Sequence, residues 1–170
     1  AEALALAPDY ATSHTLYAWF GNTGLLRSAD GGDSWQPVSA GLLIDGYGTP
    51  RLFLPAGNSG GGTVYFLWEP SPPGDATQVW RSTDSGATWQ RLASPLSGAA
   101  TRLEMAPAGS AILALDAQGR LARWSVADLQ WRSPALPSLD EIVFDGLVLP
   151  PNFAGGGAAA SASATLYAVN

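Results

Sequence analysis

The segment Ser28-Ala29-Asp30-Gly31-Gly32-Asp33-Ser34-Trp35 decides the fold, because it returns as Ser82-Thr83-Asp84-Ser85-Gly86-Ala87-Thr88-Trp89. Both copies keep Ser, Asp, Gly and Trp at the same spacing and follow an apolar run. An Asp side chain accepts hydrogen bonds from the backbone N–H groups of its own turn, and glycine supplies the positive φ that such a turn needs. The indole then folds back over the strands. The pattern predicts two β-hairpins with a structural role for Ser28, Asp30, Gly32, Trp35, Ser82, Asp84, Gly86 and Trp89.

Two more segments repeat ahead of each hairpin. Residues 4–8 return at 51–55, 103–107 and 147–151, and residues 15–19 return at 63–67, 111–115 and 165–169. A worn third copy of the hairpin segment ends at Trp131. The tryptophans Trp35, Trp89 and Trp131 recur at a period of about 48 residues with four short apolar runs each, which is the size of one propeller blade.

The repeats predict an all-β fold, a partial β-propeller of four-stranded antiparallel blades. About three and a half blades are present, with approximate bounds of 1–46, 47–97, 98–140 and 141–170. Such a set does not close a ring. We therefore expect the remaining blades to come from a larger chain or from partner subunits, because open blade faces and an unpaired strand favour association.

Composition excludes several function classes. All eight basic residues are arginine, so there is no P-loop lysine and no Schiff-base lysine, and the net charge of −6 argues against a nucleic-acid partner. The absence of cysteine removes thiolate metal sites and thiol nucleophiles, and His14 is the single histidine. No apolar run is long enough for a membrane span. The sequence predicts no cofactor and no metal.

The two complete hairpin segments resemble the Asp-box, or BNR repeat, of sialidases, xyloglucan-cleaving glycoside hydrolases, sortilin-type receptors and photosystem assembly factors. The resemblance implies that the boxes lie on the propeller rim, away from any catalytic pocket. In the third copy Trp124, Val126 and Asp128 stand at the Ser, Asp and Gly positions of the box. We expect that copy to lack the hydrogen bonds of the box and to keep Trp131 as its anchor.

The resemblance also implies that substrate binds on the face formed by the connections between strands two and three and between blades. Two carboxylates there can act as acid and base on a glycosidic bond. The alternative is that they are ordinary surface acids. Trp68 is the best aromatic candidate for sugar stacking, although tryptophans at strand ends also pack between blades. The candidates for this face are Asp45, Tyr47, Arg51, Trp68, Glu69, Asp75 and Arg102, with Asp116, Asp140 and Glu141 beside them.

A sialidase needs three arginines, and Arg51 and Arg102 begin inner strands where two of them are expected. Ala3 and Gly146 stand at the matching places of the other blades, and no Arg-Ile-Pro motif occurs. Residues 57–61 fit the nucleophile-elbow pattern G-x-S-x-G in letters only, because the pattern requires a strand–turn–helix and a histidine partner. We interpret them as a flexible, linker-like loop.

Together these observations favour a non-catalytic scaffold or interaction module in a secreted, periplasmic or cell-surface protein, with a glycan as a possible ligand. One alternative is a portion of a glycoside hydrolase acting on polysaccharide. A second is an assembly factor of the photosystem type. Propeller folds carry many activities, so the sequence leaves this choice open.

Overall fold

The structure is a computed structural model, and it describes residues 1–44, 46–71, 77–93, 100–105, 111–116, 121–125, 129–132, 146–148 and 167–169. The chain divides into two compact units, Ala1–Ser94 and Pro95–Asn170. Nearly all regular structure is antiparallel β-sheet, and the sheets follow one another in chain order.

The first sheet contains β1 (Ala3–Leu6), β2 (Leu16–Phe20), β3 (Gly24–Ser28) and β4 (Gln36–Pro37), hydrogen-bonded in that order. Its strands are short apolar runs bounded by turn residues, as expected for a meander. A single helical turn, α1 (Tyr10–Ser13), lies in the loop between β1 and β2. The repeat pattern had not predicted this turn.

The second sheet repeats the arrangement with β5 (Tyr47–Phe53), β6 (Val64–Ser71), β7 (Gln78–Ser82) and β8 (Gln90–Leu92). A 3-10 turn, Ser59–Gly61, occupies the loop between its first two strands. The loop therefore has the same place as α1 in the first sheet.

The strand register fixes which residues of the two sheets are equivalent. Ala5 pairs with Tyr17, and Phe53 pairs with Tyr65, so Leu4 corresponds to Leu52. The sequence comparison had aligned Leu4 with Arg51, one residue away. The alignment was wrong because it matched Pro8 with Pro55. Pro8 follows Ala5 by three residues, whereas Pro55 follows the equivalent residue, Phe53, by two.

The core of the first unit lies between its two sheets. The Trp19 ring lies 4.9 Å from the Phe66 ring, and the connection between the sheets adds Val38, Leu42 and Ile44. Directly opposite residues of an antiparallel pair share a face, so one face of each sheet is committed to this contact. The buried residues of the cluster are Tyr17, Trp19, Leu25, Val64, Phe66, Trp68 and Trp80.

The second unit contains a third four-stranded sheet and a two-stranded sheet. Strand β13 (Gly146–Val148) of the pair lies beside β9 (Ala100–Met105) of the third sheet. The described part of the chain thus confirms the predicted all-β class with about three and a half blades, and none of its helices has the length and hydropathy to cross a membrane. The strands are β9 (Ala100–Met105), β10 (Ala111–Asp116), β11 (Leu121–Ser125), β12 (Gln130–Arg132), β13 (Gly146–Val148) and β14 (Tyr167–Val169).

Candidate functional site

The first Ser–Trp hairpin, residues 28–35, is organised around one carboxylate. Ser28 Oγ donates to Asp30 Oδ1 at 2.7 Å and accepts from the backbone N–H of Gly32 at 2.9 Å. Ser34 donates to the same carboxylate through its backbone N–H at 2.9 Å and through its hydroxyl. Trp35 Nε1 donates to the Gly32 carbonyl at 2.9 Å, so the indole closes the turn.

The second Ser–Trp hairpin, residues 82–89, repeats these contacts with one substitution. Ser82 Oγ donates to Asp84 Oδ1 at 2.8 Å and accepts from Gly86 N–H at 2.8 Å. Thr88 takes the place of Ser34 and donates through its backbone N–H at 2.8 Å and its hydroxyl. The predicted residues therefore come together in two separate hairpins, each bonded mainly within itself.

These hydrogen bonds change the acidity of both aspartates. The Thr88 hydroxyl, the Thr88 N–H and the Ser82 hydroxyl lower the pKa of Asp84 from 3.8 to about 2. The Ser34 hydroxyl and N–H, with Ser28, hold the pKa of Asp30 well below its usual range. Donors stabilise the ionised carboxylate, so both side chains are anions at neutral pH. A general acid needs a pKa near the working pH, which neither group has.

One contact distinguishes the second hairpin from the first. Trp89 Nε1 donates to the Val38 carbonyl at 2.7 Å as well as to Gly86 at 3.1 Å. Gly86 also lies against Val38, because a Cβ built on it would be 2.8 Å from the Val38 Cβ. The second hairpin thus joins the two sheets. Sequence reasoning missed this contact, since nothing local marks Val38 as an acceptor.

The third copy has a tryptophan at each end of the segment, where the other copies have serine at the start and tryptophan at the end. Trp124 lies directly opposite Trp131, and their rings are 5.6 Å apart at 58°. The buried Trp131 Nε1 makes no hydrogen bond within the described residues. Val126 and Asp128 of this copy lie outside the described residues, so the expected loss of the box hydrogen bonds stays a prediction.

The loops that precede the hairpins bind each other across the two sheets. Asp9 Oδ2 accepts from Gly60 N–H at 2.8 Å, and this bond is the main cause that lowers the pKa of Asp9. The Tyr17 hydroxyl donates to the Gly61 carbonyl at 2.7 Å, and burial raises the pKa of that phenol. Asn58 bonds both backbone groups of Thr63. Residues 57–61 therefore form a loop that hydrogen bonds fix to the first sheet, and the interpretation as a linker-like turn was wrong.

Three predicted ligand-face residues lie on the first two strands of the second sheet. Arg51 Nε and Glu69 Oε1 form an ion pair at 3.2 Å, and Thr49 lies directly opposite Glu69. Tyr47 begins the same strand and is 87% exposed. A groove of about 310 Å³ runs beside this strand, between β5 and β1, and includes Glu2 and Arg51 in its lining.

Trp68 does not belong to this surface. It is 5% exposed, and its ring packs 5.9 Å from Trp19 in the core between the sheets. Trp80 is buried in the same cluster. The proposal of Trp68 as an exposed stacking residue was therefore wrong: Val64, Phe66 and Trp68 of β6 face the first sheet, which covers the strand as far as Trp68.

The remaining candidates lie in the second unit or outside the described residues. Arg102 is in β9 and Asp116 ends β10. Among the described residues no group of three potential metal ligands occurs. Asp45, Asp75, Asp140 and Glu141 lie outside the described residues.

Comparison with known proteins concerns the fold. No protein-family model matches the chain, and no curated protein sequence matches it. The GH74 enzyme of Niastella koreensis covers 87% of the chain at TM-score 0.60 and 21% identity, and the chain spans 23% of that enzyme. YCF48 from Cyanidioschyzon merolae covers 77% at TM-score 0.47 and 18% identity, and the chain spans 35% of it. Taken with its sheets, the likeness to the GH74 enzyme shows that this chain has the fold of a partial β-propeller.

Proposed function

We propose that the chain is a non-catalytic segment of a larger β-propeller and acts as an interaction module in a secreted or cell-surface protein. The observation that carries the proposal is that three of its carboxylates take part in contacts within the protein itself. Asp30 and Asp84 accept the hydrogen bonds that close their own hairpins, and Glu69 is paired with Arg51. Each of these carboxylates already has a structural partner.

Acid–base hydrolysis of a glycoside makes different demands on such groups. It needs two carboxyl groups on either side of one bond, about 5–10 Å apart, with one of them protonated at the working pH. The hydrogen-bonded aspartates of the two Ser–Trp hairpins are ionised and belong to different sheets. Arg51, held by Glu69, can instead help to bind a polar partner at the groove beside β5, and exposed Tyr47 at the start of that strand offers an aromatic contact to the same partner.

The location outside the cytoplasm is part of the proposal and rests on the resemblance to Asp-box proteins. The chain has no cysteine and so forms no disulfide. This is compatible with a location outside the cytoplasm, because a protein with an adequate core does not need disulfides there. Fractionation of the native host, with antibody against this chain, tests the location by itself.

The test of function is a hydrolysis assay with xyloglucan and other plant and microbial polysaccharides, paired with a glycan-binding array. We expect no release of reducing sugar by the chain and no difference between the chain and its Glu69→Gln variant. The matched control is Glu2→Gln, an exposed glutamate in the groove that Arg51, the partner of Glu69, also lines. Hydrolysis that is lost in Glu69→Gln and kept in Glu2→Gln overturns the proposal and assigns the glycoside hydrolase alternative.

A further inference from the structure

The first sheet has an apolar face that the second sheet does not cover. Ala3, Tyr17 and Trp19 turn toward the second sheet, so their neighbours along each strand turn away from it. Leu4 is 58% exposed and Leu6 is 50% exposed. Trp35 lies edge-to-face with Phe20 at 6.5 Å. We call Leu4, Leu6, Phe20, Leu26 and Trp35 the open face of the first sheet.

The corresponding face of the second sheet shows what such a face binds. By register Leu4 corresponds to Leu52, Phe20 to Trp68, and Trp35 to Trp89 by hairpin position. The three residues of the second sheet are all in the contact with the first sheet. Trp68 is 5% exposed there. The face of the second sheet is thus covered by a four-stranded blade, the first sheet.

The contact between the sheets is built partly by the chain that connects them. Val38, Leu42 and Ile44 of that connection pack against the core cluster, and the Val38 carbonyl accepts from Trp89 Nε1. In the first hairpin, within the described residues, Trp35 Nε1 donates to the Gly32 carbonyl alone. A connection that leads directly into β1 would bring an equivalent carbonyl to Trp35. This favours an occupant in the same polypeptide over a second copy of the chain.

We propose that the open face of the first sheet docks a further four-stranded blade that precedes it in a longer polypeptide. The blade presents aromatic and aliphatic side chains of the Tyr17, Trp19 and Leu25 type, and the backbone carbonyl of its connection accepts the Trp35 indole N–H. The proposal rests on the proposed function, because it names the first partner of the interaction module. It also predicts that Trp35, like Trp89, joins neighbouring blades.

The test extends the full chain with a copy of residues 1–48 placed before Ala1. By register Ala1 corresponds to Thr49, so the copied connection enters β1 as the natural one enters β5. The copy carries Leu4→Ser, Leu6→Ser and Trp35→Phe, which distinguish its peptides and leave its docking face unchanged. Hydroxyl-radical footprinting then reports the exposure of the original Leu4, Leu6 and Trp35. The matched control carries Leu4→Asp and Leu6→Asp in the original sheet.

We expect labelling of the original Leu4, Leu6 and Trp35 to fall in the extended chain to the level of Leu52, Leu54 and Trp89. In the control, labelling of Trp35 should stay at the level of the unextended chain. Unchanged labelling overturns the proposal, and so does a copy that trace protease removes as an unfolded tail, because the same sheet folds against the second sheet. Sedimentation of the unextended chain as a dimer that the Asp variants dissociate would assign the face to a second copy instead.

Failure of the two proposals is distinguishable. Polysaccharide hydrolysis by the chain removes the proposed function and does not change the footprint. An unchanged footprint without hydrolysis removes only the docking blade.

Discussion

The first and second sheets carry nearly the same hairpin, yet the indole N–H groups of their tryptophans have different hydrogen-bond partners. Trp35 Nε1 donates within its own turn at 2.9 Å, whereas Trp89 Nε1 also reaches the carbonyl of Val38, in the connection from the first sheet, at 2.7 Å. Leu4 is 58% exposed, whereas its counterpart Leu52 packs against the core cluster. The difference shows that the hairpin is a local closure in both sheets and becomes a link between sheets only where a neighbouring sheet is present.

The largest expected effect separates the packed face from the open one. Phe66→Ala removes a fully buried ring from between the sheets and should lower the free energy of unfolding by about 3–5 kcal/mol. Leu4→Ala, on the open face, should change it by no more than about 0.5–1 kcal/mol. Urea unfolding followed by tryptophan fluorescence measures both. Equal losses would contradict the assignment of the two faces.

The second effect distinguishes the two hairpin glycines. Gly32 and Gly86 both have positive φ, so alanine strains either turn. Only Gly86→Ala also meets the Val38 Cβ, at 2.8 Å, and overpacking should add about 1–3 kcal/mol of destabilisation. Thermal unfolding of Gly32→Ala and Gly86→Ala compares them. Val38→Ala removes the Cγ2 at 3.1 Å and keeps the Cβ, so it should recover only part of the loss in the Gly86→Ala background and none in the Gly32→Ala background.

A smaller difference is expected for the indole N–H groups. Trp89→Phe leaves both the Val38 and the Gly86 carbonyl without this donor, whereas Trp35→Phe leaves only Gly32. Trp89→Phe should therefore cost about 1 kcal/mol more than Trp35→Phe, since a net hydrogen bond contributes about that much. Chemical denaturation of the pair measures the difference. A larger loss for Trp35→Phe would contradict the link between sheets.

The smallest expected effect is a pH dependence shared by both hairpins. Asp84 has a folded pKa of about 2, below its ordinary value of 3.8, so its contribution to stability is complete above about pH 4. That contribution is lost as the pH falls toward 2, when the carboxylate binds a proton. Urea midpoints from pH 5 to pH 2 should decline, and Asp84→Asn should flatten part of the decline.

The control for this pH series is Asp33→Asn. Asp33 is an exposed residue of the first hairpin and makes no hydrogen bond in the described part of the chain. We expect the urea midpoint of Asp33→Asn to decline between pH 5 and pH 2 as that of the unmodified protein does. If the urea midpoint of Asp84→Asn shows the same decline, the hydrogen bonds of Asp84 do not stabilise the fold.

The hairpins were predictable because their contacts join residues two to four positions apart. Ser28 to Asp30 and Asp30 to Ser34 are visible in any short window, and glycine at the turn marks the required backbone. Trp68 was misjudged for the opposite reason. Its exposure depends on which face of β6 the first sheet covers, and a run of apolar residues has no local mark of that choice.

The sequence by itself determined the repeated strands, the two turns closed by Asp30 and Asp84, and the class of fold. Each of these depends on the strand and turn propensities of the residues and on short-range hydrogen bonds. Only the tertiary structure decided that Trp89 bonds Val38, that Asp9 bonds Gly60, and that Leu4 stays uncovered while Leu52 is packed. Such contacts join residues about 50 positions apart or depend on a neighbouring sheet. They exist only after the sheets have packed, and the register and packing of sheets are set by all of their residues together.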